Sequence, residues 1–238
     1  MIPTKALFLA LCLCLCFLFA CRRRSGESPG SIWYIYGLWD SEMSPDVRRA
    51  IDRNSKVCSD FESVVIGKAE VAGTIQDWKY LSEMINRKVV LADISRYYLM
   101  WKRGGFYLDV DVRVNRDLKP LVQRCVKRGK RIMLFTEHDN SMVLGVGEKH
   151  RHRIYNCMFW SEPNEMFWKQ CYDLAVERCS SLTRWSDSDI LWASGPDVIT
   201  TVYHSTPGNH IHVLNNSESK KYLTHLEKGS WRKKRDFL

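Results

Sequence analysis

The chain has 238 residues, of which 45% are hydrophobic and 26% charged, and its formal net charge is +9. These fractions exclude a disordered or fibrous chain, and the length is enough for a domain that folds without disulfides. The charge suits an anionic substrate or surface. No helix-turn-helix, zinc-finger or RNP-like motif accompanies it, so we expect no nucleic-acid partner.

The first predicted segment is a hydrophobic leader. Residues 6–21 are apolar throughout and the arginines at 22–24 follow directly. This apolar stretch is shorter than the ~20 residues that usually span a bilayer, so a cleaved signal, a short anchor and a peripheral anchor all remain open. We therefore divide the chain into a leader or membrane anchor with a basic flank, 1–24, and a single domain, 25–238.

Strands and helices alternate along the predicted domain. Ser44 is the expected cap of the first helix. The predicted strands cover 31–36, 61–66, 106–108, 131–135 and 154–160, and the predicted helices cover 45–54, 75–87, 93–102, 164–179 and 196–204. This order predicts an α/β fold with a mostly parallel sheet flanked by helices, and a ligand bound beyond the carboxyl ends of the strands.

The most informative segment joins a helix, a glycine turn and a strand to two carboxylates. Helical spacing places Asp93 and Arg96 on one face, Gly104-Gly105 ends the helix, and Asp109 and Asp111 follow the apolar strand. Strand alternation predicts that both carboxylates lie on the same side. Because paired carboxylates repel each other, they favour a hard cation such as Mn²⁺ or Mg²⁺, which keeps positions open for diphosphate oxygens. An exposed acidic loop is the alternative for a bare Asp-x-Asp.

These residues resemble a known family. The run Ala92-Asp93, Arg96-Tyr97, Gly104-Gly105 and Tyr107-Leu-Asp109-Val-Asp111 is similar to the signature of the DXD-containing sugar transferases. That family includes yeast initiating mannosyltransferases, inositol-phosphoceramide mannosyltransferases and, more distantly, clostridial glucosylating toxins. Further similar segments are Ile154-Tyr-Asn156, Pro163 to Phe167, Ser194-Gly195-Pro196 with Thr200, His225, and Gly229-Ser230-Trp231. The resemblance implies a GT-A-type nucleotide-sugar fold.

The resemblance also implies roles for the central residues. Asp109 and Asp111 are expected to hold the divalent ion and, through it, the donor diphosphate. Asp93 and Arg96 are expected to contact the donor sugar, with Arg96 counted as catalytic together with the two aspartates. Their alternative is a helix-surface ion pair, worth only ~0.3–0.5 kcal/mol. Tyr107 is expected to help fix the donor, and a core tyrosine is its alternative.

Roles of the outer residues follow from the same resemblance. Tyr36 lies nearest to the family's base-stacking aromatic, and Trp39 is the second choice for that position. His225 is expected to complete the metal shell, because a neutral imidazole suits Mn²⁺. Ser230 and Trp231 are expected to close over the diphosphate.

The expected function is a metal-dependent, retaining transfer of a hexose from a UDP- or GDP-sugar to a glycan, glycolipid or protein. We expect membrane association through the leader, as a single-pass protein of the secretory pathway (ER or Golgi). The arginines at 22–24 favour the cytoplasmic-facing orientation as the alternative.

Two other functions fit part of the pattern. In haloacid-dehalogenase-like phosphatases, a strand followed by Asp-x-Asp supplies a nucleophile and a general acid/base. That family needs a later acidic pair, for which Asp187 and Asp189 are the nearest choice. A non-catalytic glycan-binding module that keeps the fold is the third possibility.

Overall fold

The computed structural model describes residues 30–38, 42–138, 141–142, 149–150, 153–206 and 208–226. The strands are β1 (Ser31–Ile35), β2 (Glu62–Ile66), β3 (Gly105–Leu108), β4 (Val112–Val114), β5 (Ile132–His138), β6 (Ser141–Met142), β7 (Lys149–His150), β8 (Arg153–Ser161), β9 (Ile211–Leu214) and β10 (Leu223–His225). The helices are α1 (Pro45–Val57), α2 (Lys68–Thr74), α3 (Trp78–Met84), α4 (Lys88–Arg103), α5 (Lys119–Lys127), α6 (Met166–Ser180), α7 (Asp187–Ala193), α8 (Pro196–Ser205) and α9 (Asn216–Tyr222).

A six-stranded sheet forms the centre, in the order β2-β1-β3-β8-β5-β9. Only β8 runs antiparallel to its neighbours β3 and β5, while the other pairings are parallel. β4 pairs with β10 and β6 with β7 in two small antiparallel sheets. The predicted α/β class with a mostly parallel sheet is therefore confirmed.

The strand register defines two edges of this sheet. One row of paired residues runs from Ile32 through Phe106, Trp160 and Met133 to His212. Because β1, β3, β5 and β9 point the same way, the segments that enter them share one edge, which we call the amino edge. Asp109 leaves β3 at the opposite, carboxyl edge, as parallel-sheet sites require.

Most predicted elements are found with shifted ends, and Ser44 caps α1 by accepting from the backbone of Val47. The helix expected over 75–87 is present in a shorter form as α3, whereas α2 before it was not expected, and an extended Ile75 follows the end of α2. Ile75 is 3% exposed. The side chain of Ile75 packs into the hydrophobic core at the point where the chain leaves α2.

α4 is buried on nearly every side. Its buried residues include the charged pair Asp93 and Arg96 as well as Ser95. A helix that is apolar on one stripe only would leave such residues in water, whereas here α4 lies between the sheet and α6. Its polar side chains therefore need partners inside the protein.

Gly104 ends α4 in a conformation reserved for glycine. Its φ is 60° and ψ is −156°, and its amide donates to the carbonyl of Met100. A Cβ there would lie 2.5 Å from the nitrogen of Pro163 and 2.7 Å from the carbonyl oxygen of Ser161. The predicted glycine stop is confirmed, and it turns the chain directly into β3.

We predict that Gly104→Ala lowers the free energy of unfolding by more than ~2 kcal/mol, because strain in this backbone region adds to a backbone clash. Urea unfolding would measure it. Gly129→Ala is the matched control, since Gly129 also has positive φ, 67°, but nothing lies within 4 Å of its Cβ position. Equal losses in the two variants would show that the contact with Pro163 contributes nothing.

Candidate active site at the carboxyl edge

Asp109 and Asp111 lie in a tight turn that follows β3. The amide of Asp109 donates to Cys157 of β8 at 2.8 Å, and the amide of Val112 donates back to the Asp109 carbonyl at 2.9 Å. The strand does not continue through the two carboxylates, so strand alternation is the wrong description of their arrangement. The turn leads directly into β4, which pairs with β10.

Asp93 and Arg96 form a buried ion pair at the same place. Their side chains are 5% and 6% exposed, and Nη2 of Arg96 lies 2.8 Å from Oδ1 of Asp93. The same Nη2 lies 3.4 Å from Oδ1 of Asp109. The alternative of a helix-surface pair is therefore wrong, because α4 is enclosed by the sheet and α6. Arg96 connects the α4 carboxylate to the first aspartate of the Asp-x-Asp turn.

Tyr107 packs beneath this arginine. Its ring lies 4.8 Å from the guanidinium carbon of Arg96 and stacks on Phe159 at 5.2 Å between centroids. Its hydroxyl donates to Oδ1 of Asp109 at 2.5 Å. Tyr107 is thus a core tyrosine, 1% exposed, whose hydroxyl also holds an expected metal ligand. Its contact with the donor stays a prediction.

Three polar residues enclose Asp93 from the other side. The side-chain amide of Asn156 donates to Oδ1 of Asp93 at 3.0 Å, and the hydroxyl of Ser194 donates to Oδ2 at 2.8 Å. Tyr97 donates its hydroxyl to Oδ1 of Asn156 at 2.7 Å. Arg96 also donates through Nη1 to the carbonyl of Asn156. We call Asp93, Arg96, Tyr97, Asn156 and Ser194 the buried network.

The sequence alone assigns no role to these three supporting residues. Asn156 and Ser194 carry part of the family resemblance, and Tyr97 occupies an apolar position of the helix pattern. The available signal is an asparagine inside an otherwise apolar strand, because a buried amide requires partners. Only the fold shows that those partners lie on α4.

Burial and charge act in opposite directions on the site's pKa values. Burial raises the pKa of Asp93 to about 6, although Arg96, Ser194 and Asn156 oppose the rise. Burial also raises the pKa of Asp109, against the effects of Arg96 and Tyr107. For Arg96, burial lowers the pKa, but the nearby charges, first Asp109, outweigh it, and the guanidinium stays charged.

His225 lies beside the second aspartate. Pairing of β10 with β4 sets His225 opposite Val112, and Nε2 of His225 is 3.5 Å from Oδ1 of Asp111. The imidazole also contacts the ring of Tyr155, at 6.0 Å between centroids. His225 and Asp111 are far apart in the sequence, and the pairing of β10 with β4 brings them together.

The donor set fits a divalent ion in chemistry. Asp109, Asp111 and His225 have side chains that are 28%, 18% and 24% exposed, so each can still reach a ligand. Both contacts that described residues make to the Asp109 carboxylate fall on Oδ1. In the described part of the chain, no group of three His, Cys, Asp or Glu side chains is already assembled around a metal position. The ligands would therefore complete their arrangement on binding.

The nitrogen Nε of Arg96 is buried, and no residue in the described ranges offers it a hydrogen bond. An unpaired buried donor costs ~1–3 kcal/mol, so such atoms often mark a functional position. This atom lies in the one side chain that joins both carboxylates.

Of the residues expected to stack on the base or to close over the diphosphate, the structure describes only Tyr36. Tyr36 follows β1 at the carboxyl edge, is half-buried, and donates its amide to Ile66 at 3.1 Å. Its stacking on a base stays a prediction. Trp39, Ser230 and Trp231 lie outside the described residues. So does the leader, and none of the described helices is long and apolar enough to cross a membrane.

The acidic pair that a phosphatase would need lies at the start of a helix. Asp187 and Asp189 lie in the first turn of α7, and Asp189 accepts from the amide of Ser186 at 2.7 Å in a capping box. They therefore stabilise a helix start and do not follow a strand. This use of the pair removes the support that the phosphatase alternative had.

Comparison with known proteins finds a matching protein family for the first half of the chain. Residues 25–127 match the family described as "Glycosyltransferase sugar-binding region containing DXD motif". This part of the chain, which includes the Asp-x-Asp turn, is similar to the DXD glycosyltransferases. The resemblance and the predicted enzyme class, a glycosyltransferase, are thereby confirmed, and the phosphatase alternative is wrong.

Individual relatives cover the chain unequally. A 31-residue stretch is 55% identical to inositol phosphoceramide mannosyltransferase 3 of Schizosaccharomyces pombe, which is 13% of this chain and 9% of that protein. The PaToxG glycosyltransferase structure is similar at a TM-score of 0.53 and 17% identity, over 75% of this chain and 69% of that one. Mouse xyloside xylosyltransferase 1 gives a TM-score of 0.45 at 10% identity, over 77% and 84%. The PaToxG likeness confirms the GT-A-type fold.

We predict that activity falls as the pH drops through about 6, because protonation of Asp93 removes its ion pair with Arg96. Ser194→Ala removes a hydrogen bond that favours the charged carboxylate, so the acid limb of the pH–rate profile should move up by about one unit.

Ser95→Ala is the matched control for this shift. Ser95 is also buried in α4, but its hydroxyl donates to Leu91 of the same helix. An unchanged acid limb in Ser194→Ala would show that Asp93 does not control the profile.

Proposed function

We propose that this chain transfers a hexose from a UDP- or GDP-sugar to a glycan, glycolipid or protein acceptor, with retention of configuration. The observation that carries the proposal is the position of Arg96, which lies within 3.4 Å of both the α4 carboxylate and the first aspartate of the DXD turn. Donor sugar and diphosphate would meet at this junction.

The proposed roles follow from which groups remain accessible. Asp109, Asp111 and, as a third ligand, His225 would hold Mn²⁺ or Mg²⁺, which when bound supplies positive charge against the leaving diphosphate. Arg96 keeps Asp109 in place and adds a permanent positive charge beside it. Such preorganised charge lowers the barrier of a reaction that accumulates negative charge.

Retention by same-face attack suits the enclosure of Asp93. A double displacement needs a carboxylate that can reach the anomeric carbon as a nucleophile. Asp93 is 4% exposed, and Arg96, Asn156 and Ser194 all bind its oxygens. We therefore propose that the acceptor hydroxyl attacks on the face that the diphosphate leaves, and that a leaving oxygen takes its proton.

Location and partners are part of the same proposal. The apolar stretch 6–21 would associate the enzyme with a membrane of the secretory pathway, the ER or Golgi. Tyr36 or Trp39 would stack on the donor base, and Ser230 with Trp231 would cover the diphosphate. The opposite, cytoplasmic-facing orientation is the alternative that the arginines at 22–24 favour.

A donor screen tests the proposal. The full-length chain in detergent would be incubated with a set of UDP- and GDP-sugars and Mn²⁺, with release of nucleoside diphosphate and the melting temperature as readouts. One donor should be hydrolysed slowly and should raise the melting temperature. Asp111→Asn should abolish both effects while the ligand-free melting temperature stays close to wild type.

The control for Asp111→Asn is Asp187→Asn, a half-buried carboxylate outside the site. If no donor is cleaved and none stabilises the protein, the transferase proposal fails and a non-catalytic module becomes the better explanation. Unchanged cleavage in Asp111→Asn would refute the metal assignment alone.

We further predict that Arg96→Lys lowers donor cleavage at least ~100-fold. A lysine cannot contact Asp93, Asp109 and the Asn156 carbonyl together, because it lacks the planar fork of the guanidinium. Arg178→Lys is the control. Arg178 is also buried, but it donates to Trp192 and Thr201. Comparable activity losses in the two variants would point to general destabilisation.

A further inference from the structure

A strongly basic segment lies away from the active site. Residues 119–131 contain six lysines and arginines and no acidic residue. α5 packs its apolar side inward through Leu121, Val122 and Cys125. Its opposite side therefore directs Arg124 and Lys127 outward, and Arg128 in the following turn is exposed as well.

These charges are close together and largely uncompensated. We call Arg124, Lys127, Arg128 and Lys130 the basic face. Lys127 and Arg128 have no ion pair or side-chain hydrogen bond with the residues that the structure describes. Arg124 donates to the hydroxyl of Tyr222 at 3.0 Å, and Lys130 donates to the carbonyl of Asn209. Neither of these partners carries a charge.

The positive charges of the basic face act together on the pKa of His212. Burial lowers the pKa of His212, and the charges of Arg128, Lys130 and Arg124 lower it further, whereas Glu218 opposes them. Three members of the basic face thus act on one imidazole. A positive potential of this kind favours an anionic partner.

The register places much of this face at the amino edge of the sheet. Ile132 begins β5 opposite Ser161, and Ser161 also pairs with Gly105 at the start of β3. Arg128 and Lys130 directly precede β5. Gly30 enters β1 at the same edge, since Glu62 donates its amide to the Gly30 carbonyl.

The leader therefore joins the domain on the side of the basic face. β1 and β5 are separated by β3 and β8, so their starts are roughly 14 Å apart at ~4.8 Å per strand. The chain from Arg24 to Gly30 spans at most about 20 Å when extended. The chain is consequently long enough for the three arginines at 22–24 and the basic face to contact the same flat surface.

We propose that the basic face lies on the anionic lipid headgroups of the membrane that the leader enters. Val126, 46% exposed between these charges, adds an apolar contact at the headgroup boundary. This orientation directs the carboxyl edge, with Asp109, away from the bilayer. The proposal rests on the membrane association proposed above for the leader but not on the sugar-transfer reaction, because it uses none of the residues of the active site.

Vesicle flotation of the full-length protein tests the proposal. Binding would be measured on neutral phosphatidylcholine vesicles and on vesicles with roughly a third phosphatidylserine, at low and high salt. The double variant Lys127→Gln with Arg128→Gln is compared with wild type. The leader is present in both proteins, so binding to neutral vesicles serves as the internal reference.

Wild type should bind the anionic vesicles more strongly than neutral ones, and high salt should remove the difference. The double variant should lose about tenfold or more of this preference, as expected for two surface charges. The matched control, Lys79→Gln with Arg184→Gln, removes two exposed basic residues elsewhere and should keep it.

An undiminished preference in the double variant would overturn the proposal. So would equal losses in the double variant and the control, since net charge alone would then explain the effect. Absence of any preference for anionic vesicles, together with salt-sensitive binding of a single-stranded oligonucleotide, would assign the basic face to nucleic acid instead.

Discussion

A single buried cation sets the arrangement of the site. Arg96 lies between Asp93 and Asp109 with its guanidinium over Tyr107, and it is 5% exposed. A buried charge is tolerated only when it is paired and hydrogen-bonded, so every neighbour of Arg96 is constrained in turn. The polar groups of three distant segments, α4, β8 and the start of α8, are required to meet here.

This requirement links the fold to the chemistry. Asn156 interrupts an apolar strand, Ser194 precedes α8, and both contact the α4 carboxylate. Gly104 lets α4 turn straight into β3, which brings Arg96 beside the turn that follows the same strand. The helix and the DXD turn therefore behave as one unit, whose geometry depends on a glycine-only backbone conformation.

The carboxyl edge and the amino edge of the sheet carry different groups of charged residues. The carboxylates and His225 lie at the carboxyl edge, where the proposed anionic donor would need compensating charge. At the amino edge lie Gly30, where the chain enters β1, and the basic residues that precede β5. An α/β sheet allows this division because helices return the chain across the sheet between successive parallel strands.

Much of the fold was predictable from hydrophobic periodicity. The strands that carry the site, the glycine stop after α4 and the cap at Ser44 were expected and are present. The helix expected over 75–87 is present in a shorter form as α3, whereas the short helix α2 before it was not expected. β4 and β10 are three residues each, too short to give a pattern of their own.

The sequence by itself determined the chemistry that is available: a DXD turn after a strand, an Asp and an Arg one helical turn apart, and an α/β order that places the turn at a sheet edge. Only the tertiary structure decided that the Asp–Arg pair is buried rather than exposed, and that Tyr97, Asn156 and Ser194 hold it. The physical reason is that helical spacing fixes which residues share a face, whereas burial depends on elements far away in the chain. α6 and β8 enclose α4, and their approach converts a surface ion pair into the constraint on which the site is built.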